Sequence, residues 1–470
     1  FFKQKTAYEI MPSLVGSEMC IRDRGDLTSV ELVESCLGRI ESHDPNLGAF
    51  IALYGDEALK AGKSADLARS SGHSFGPLHG IPVAVKDIID IEGMITTGGS
   101  KVWEQRCSPV TATLVQRMVG AGMIVLGKTH TVEFAMGSFG TNRHLGSPKN
   151  PWDLGEHRAT GGSSAGTAAA VASGMAPWGI GTDTGGSVRI PSAWCGLTGL
   201  KTTIGRVSVH GVLPLSHTLD TPGPMCRCVE DTAWMYRLLA GPDPKDSRTQ
   251  IHPVEDPFPT LRHGVTGMKL ARLPEQEMAG VDPEIRKFYE ESLWTLKGLG
   301  AEIIKVGLPS SFADMGALVG RIIGAEGYSY VGELTDNLSL PVDDDVRPRI
   351  GVGKNMSARD YLLCLRDQQK IKEEYSRALE GADALLTPTT AEPAPKVDEI
   401  DQSGTAAGFT RPVNLIEYCA LAIPNGLSSG GLPSSLQIVC APHREVLALR
   451  IGWACQDATD WHLRFPKGLD

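Results

Sequence analysis

Between residues 161 and 189 the chain strings together Gly161-Gly162-Ser163-Ser164-Ala165-Gly166 and Gly181-Thr182-Asp183-Thr184-Gly185-Gly186-Ser187-Val188-Arg189, linked by a run rich in alanine, glycine and serine. Side chains this small let backbone pack close to backbone, so the fold must hold two glycine-flanked loops side by side. Ser163 and Ser187 sit in those loops. Upstream, Lys86 closes the apolar run Ile81 to Val85, which places it at the end of an interior strand. A serine hydroxyl is a poor nucleophile until a neighbouring base takes its proton. Lysine is such a base only when neutral, so its pKa of about 10.4 must fall by roughly 3 units, a shift that burial and surrounding dipoles can supply. The glycines before Ser187 let several N–H groups converge on one point, the arrangement of an oxyanion hole.

Lys86 in Gly80-Ile81-Pro82-Val83-Ala84-Val85-Lys86-Asp87, taken with the two glycine loops, resembles the pattern of the amidase signature family, and the similarity runs from about Leu27 to Pro466. The resemblance implies an α/β fold in which residues 25–470 form a single large domain, with a mixed, mostly parallel central sheet covered by helices on both faces. It implies that Ser187 attacks an acyl carbon, that Ser163, held after a cis peptide bond, relays the proton, and that Lys86 is the base. Backbone N–H groups of Thr184, Gly185, Gly186 and Ser187 would hold the oxyanion. Met136 and Gly137, in the loop Glu133 to Ser138, and Gly162 would contact the substrate. Behind them, Ser164 would give support, and Asp183 and Arg189 an ion pair or backbone anchor.

The reaction implied is hydrolysis of a small carboxylic amide to an acid plus ammonia or an amine, with no metal or organic cofactor required. Cytoplasmic location is expected, and homodimers are common among relatives. A second branch of the family is the glutamine-hydrolysing component of a tRNA-dependent amidotransferase. Residues 122–246 resemble it, including Phe134-Ala135-Met136-Gly137-Ser138 and Asp243-Pro244-Lys245-Asp246-Ser247. Against it, Ala406-Ala407-Gly408 stand where that branch usually carries an acid to meet the α-amino group of glutamine. A scaffold without turnover is opposed by the intact Lys86, Ser163 and Ser187.

Composition narrows the classes further. A net charge of -10 with no basic block argues against a nucleic-acid groove. Without a run of about 18 apolar residues, no transmembrane helix is expected. The ten cysteines contain no C-x-x-C pair and read as free, buried thiols of a reducing compartment. Two formal motif matches mislead. Gly122 to Thr129 fits the phosphate-loop formula, but its four variable residues are themselves an apolar strand. Gly162 to Gly166 fits the nucleophile elbow with Ser164 at its centre, yet loop rather than strand precedes it. His79, His130 and His144 read as structural, Asp220 likewise, and Phe134 as packing.

In chain order, a capped helix starts at Thr28 or Ser29 and stops near Asp44-Pro45, followed by a strand at 50–54 and a helix at 56–70. A helix at 165–173 and a strand at 175–180 lead to the Ser187 loop. Helices are expected at 230–240, 282–299 and 445–455, and strands at 268–273, 301–306 and 382–389. Residues 1–24 do not read like protein. Lys3 to Glu9 is what AAG CAG AAG ACG GCA TAC GAG encodes, as in a sequencing adaptor, so the segment is expected to be non-native and disordered.

Overall fold

One sheet of eleven strands runs through the computed structural model, which describes residues 27–250 and 252–469. The strands are β1 (Phe50–Leu53), β2 (Pro82–Lys86), β3 (Ile124–Thr129), β4 (Trp178–Asp183), β5 (Thr198–Lys201), β6 (Thr221–Cys226), β7 (Lys269–Arg272), β8 (Glu302–Lys305), β9 (Ala384–Pro388), β10 (Cys419–Leu427) and β11 (Pro433–Cys440). The helices are α1 (Ser29–Leu47), α2 (Gly55–Ser70), α3 (Thr113–Gly120), α4 (Ala165–Ala172), α5 (Arg189–Trp194), α6 (Val229–Leu239), α7 (Pro283–Gly298), α8 (Phe312–Asp336), α9 (Arg347–Gly351), α10 (Ala358–Ala378), α11 (Arg411–Leu415) and α12 (Glu445–Asp457). The proposed non-native segment lies outside the described residues.

The strand order is β1-β3-β2-β4-β6-β5-β10-β11-β9-β7-β8. The sheet is mixed, as expected, but its parallel pairs are confined to β2–β3, β2–β4, β7–β8 and β7–β9. Every other neighbouring pair is antiparallel, so the mostly parallel character expected holds only at these two places. The reason lies in the connections: β10 returns directly into β11, and β5 and β6 lie side by side, whereas the parallel pairs at β2 are joined through helices.

β2 shows why helices cover both faces. Val83 and Val85 belong to one hydrophobic cluster with Leu114, Met118 and Leu239, while Ala84 belongs to another with Val33, Ile40 and Ala169. Alternate residues of a strand point to opposite faces, so this fully buried strand must be packed on two sides. α1 is capped by Thr28, one of the two expected residues, in a capping box with Glu31, but it continues through Pro45 to Leu47, where Gly48 closes it in a left-handed conformation.

The strand expected at 175–180 runs instead from Trp178 to Asp183. Met175 and Ala176 are spent on closing α4, since both donate their N–H groups to the Ala170 carbonyl. That shift carries β4 to the residue before Thr184 and so launches the Ser187 loop from the end of a buried strand. Lys128, of the phosphate-loop match, is buried on β3, where its ammonium lies 3.5 Å from Asp87 and donates to the Ile89 carbonyl. Of the nine cysteines among the described residues, all but Cys107 are buried. No helix among the described residues is long and apolar enough to cross a membrane.

Candidate active site

Lys86 ends β2 with no surface exposed. Its Nζ lies 2.7 Å from Ser163 Oγ and 2.9 Å from Thr182 Oγ1. Burial pushes its pKa down to about 7, with the charges of Asp220 and Asp183 working weakly the other way. The amine is therefore able to carry a free lone pair near neutral pH.

Ser163 follows a cis peptide bond with Gly162, as expected, and its carbonyl accepts from Val132 N and Thr131 Oγ1. These bonds clamp the first glycine loop onto the segment after β3. The clamp continues into α4, where a Cβ on Gly166 would stand 2.2 Å from the Ala49 carbonyl oxygen and 2.4 Å from the His130 nitrogen. Only glycine permits that approach. Ser164 donates its N–H to the Ser187 carbonyl at 3.3 Å, tying the two serine loops together.

Ser163 and Ser164 are wholly buried, whereas Ser187 keeps 9 % of its surface, so of the three serines Ser187 is the one that reaches the pocket. That pocket has a volume of about 340 Å³. Met136, Gly137, Thr184 and Gly185 line it with Ser187, as the sequence reading placed them. Gly162 does not line it. Its N–H is bonded to the Ser138 carbonyl, and a Cβ there would stand 2.6 Å from Gly140 N, so the residue serves loop packing.

The loop from Thr184 to Ser187 departs from expectation at one donor. Gly186 donates its N–H to Asp183 Oδ1 at 2.9 Å, which turns it away from the pocket. Its φ of 132° and the position of Thr410 Oγ1, 2.2 Å from where a Cβ would stand, explain why glycine is needed there. Thr184, Gly185 and Ser187 keep N–H groups with no protein acceptor among the described residues. Thr184 is anchored through its hydroxyl to Asp220 Oδ1 at 2.5 Å, and Thr410 Oγ1 donates to the Gly185 carbonyl at 2.7 Å.

The expected pair of Asp183 and Arg189 forms and is completely buried. Arg189 donates to both carboxylate oxygens at 2.8 and 2.9 Å and also to Asn414 Oδ1, Gln437 Oε1 and the Thr410 carbonyl. Burial works to raise the Asp183 carboxyl, but the Arg189 guanidinium, Lys201 and Asn414 outweigh it and hold it well below the ordinary value. Phe134 packs edge-on against Trp103 with ring centroids 4.9 Å apart, and His79 Nε2 meets the Ala65 carbonyl at 2.9 Å, both as expected. Sequence reasoning did not single out Thr182, Thr410, Arg349 or Arg411. Thr182 stands within a quoted motif, but nothing short of the β2–β4 pairing brings it to Lys86.

The α/β fold buries an amine against a serine hydroxyl, beneath a pocket that holds a second serine. The chain belongs to the amidase signature family, since the family model, Amidase, matches residues 31–449. It is 37% identical over 467 residues to the glutamyl-tRNA(Gln) amidotransferase A component of Geobacter metallireducens, covering 93% of this chain and 96% of that one. Among solved structures it is similar to a vestigial protein complex that reveals the evolutionary origins of an s-triazine catabolic enzyme. There the TM-score is 0.88 at 30% identity, over 94% of this chain and 97% of that one. It is also similar to the corresponding glutamyl-tRNA(Gln) amidotransferase component of Thermotoga maritima, with a TM-score of 0.76 and 33% identity over 91% of this chain and 94% of that one.

Proposed function

We propose that the protein hydrolyses a carboxylic amide through an acyl-enzyme on Ser187, with Lys86 acting as base through Ser163. The observation that carries this reading is the buried Lys86 amine, pushed down to about 7, at 2.7 Å from Ser163 Oγ. Ser187 Oγ bonds to the amide carbon while its proton passes to Ser163, whose own proton passes to Lys86 Nζ. The oxyanion is met by the free N–H groups of Thr184, Gly185 and Ser187. The C–N bond then breaks, the proton returns through Ser163 to the leaving nitrogen, and ammonia or an amine departs. Water attacks the ester by the same relay, releasing the acid and restoring Ser187.

A second reading, the glutamine-hydrolysing component of a tRNA-dependent amidotransferase that works with partner chains, is favoured by the relatives at 36–37% identity over more than nine-tenths of this chain. The pocket favours the first. Ala407 lines it where that branch usually has an acid, and no Asp or Glu is among its lining residues. An ammonium group would have no counter-charge there.

The test is ammonia release from glutamine, aliphatic amides and an aryl amide by the wild type and Ser187→Ala. Turnover of amides other than glutamine, lost by a factor of at least about 10³ in the variant, is expected. Activity on glutamine alone would move the assignment to the amidotransferase.

A further inference from the structure

Arg411, the first residue of α11, lies across the oxyanion loop. Its Cγ and Nε stand 3.3 and 3.8 Å from the position a Cβ on Gly185 would occupy, and its NH1 3.7 Å from the corresponding position on Gly320 of α8. It lines the same pocket as Ser187. Of the other guanidinium groups of this region, Arg321 also lines the pocket but lies exposed to water, while Arg189 and Arg349 are committed to the protein. Arg189 is paired with Asp183, and Arg349 donates to the Met136 carbonyl at 3.1 Å and to the carbonyl and side chain of Gln402 at 2.5 and 2.9 Å. Arg411 makes no side-chain hydrogen bond or ion pair with any described residue. Desolvation, and then the like charge of Arg349, hold its pKa below the ordinary value. An unpaired cation drawn out of water beside a second cation is unfavourable until an anion meets it.

We propose that Arg411 selects the substrate by receiving a carboxylate on its acyl portion, so that the substrate class is the monoamide of a dicarboxylic acid. The proposal rests on the amide-hydrolase reading above. The planar fork of arginine matches a carboxylate through two parallel hydrogen bonds. Its position over Gly185, two residues from Ser187, sets the anionic group a short linker away from the scissile carbonyl. Met136, Ile190, Leu215 and Ile323 supply apolar wall for the methylenes of that linker. Absence of any lining carboxylate leaves an α-ammonium facing Arg349 and Arg411 unopposed, which disfavours glutamine relative to the same molecule without its amino group.

The experiment compares kcat/KM for glutaramate with pentanamide, and for succinamate with butyramide, in the wild type, Arg411→Met and Arg411→Lys. The wild type is expected to prefer the anionic member of at least one pair by roughly 10- to 100-fold, the range of a charge-assisted contact. That ratio should fall toward about 1 in Arg411→Met and be partly kept in Arg411→Lys, which also guards against simple misfolding of the first variant. A ratio unchanged in Arg411→Met, or a wild type that prefers the neutral amides, would overturn the proposal. Binding is read separately, by calorimetric titration of glutarate, succinate and butyrate into Ser187→Ala. The dicarboxylates should bind more tightly than butyrate, and adding Arg411→Met should weaken them about tenfold. Failure of this arm overturns the charge assignment, whereas failure of turnover with intact binding overturns the hydrolase reading instead.

Discussion

In the proposed mechanism Lys86 is the base, and the fold suits it to that role by making its charged form unfavourable. An ordinary lysine, at 10.5, would be almost wholly protonated at neutral pH and useless as a base, but burial brings it to about 7. The same shift links function to stability. Between about pH 7 and 10.5 the unfolded chain binds a proton at this residue that the folded chain does not, so the free energy of unfolding rises with pH across that window. Below about 7 both states hold the proton and the cost of burying the charge is fully present. Lys128 and Lys201 are also lowered by burial, so the contribution is read as a difference between wild type and Lys86→Met. Urea denaturation at several pH values should show that difference shifting in favour of the wild type as pH rises, by up to about 1.4 kcal/mol per unit, while the variant is inactive throughout. A difference independent of pH would mean that Lys86 titrates normally. The need for a depressed lysine was legible in the sequence, from the apolar run ending at Lys86. Its partner Thr182 was not, because that contact arises from strand pairing across nearly a hundred residues.

At the scale of elements, α4 is decisive because it continues directly from the first serine loop and packs against β2, β3 and β4. Its side chains are small throughout, and all its residues are buried. Gly166→Ala would raise intrinsic helix propensity by up to about 1 kcal/mol, yet the new Cβ would meet backbone atoms of Ala49 and His130 at 2.2 and 2.4 Å. Backbone cannot swing aside as a long side chain does. The clash therefore decides the sign, and we expect the variant to be destabilised by roughly 2–3 kcal/mol in chemical denaturation, with activity reduced as Ser163 shifts. A more stable variant would show that α4 packs loosely. The sequence located this helix closely, since Ala165 to Ser173 was expected and Ala165–Ala172 forms. It misplaced β4 because apolar Met175 and Ala176 look like strand, while their N–H groups in fact close the preceding helix. Hydrophobicity reports burial, not which backbone bond a residue makes.

Across the whole molecule, Arg189 joins the second serine loop to α11 and β11, through Thr410, Asn414 and Gln437. Replacing it would leave Asp183 buried without its partner, the kind of loss that destabilises strongly. The pocket is completed from the same distance: α8, α9 and the segment around Thr405 close over residues that lie more than a hundred positions earlier in the chain. The chemical centre could thus be read from local motifs, but its walls could not, because they are built by long-range packing of stretches without distinctive composition. Arg411 illustrates this, standing in a block that looked merely family-like until the fold set it over Gly185. The central claim is that Ser187, and neither of the more buried serines, takes the acyl group while Lys86 removes the proton. Its most direct test is the covalent adduct formed with p-nitrophenyl acetate, quenched at successive times and located by peptide mass mapping across a pH series. An acetyl group on Ser187, accumulating at a rate that rises with pH through about 7, is the predicted result. Acylation mapped to Ser163 or Ser164, or a rate on Ser187 indifferent to pH between about 6 and 8, would contradict the account.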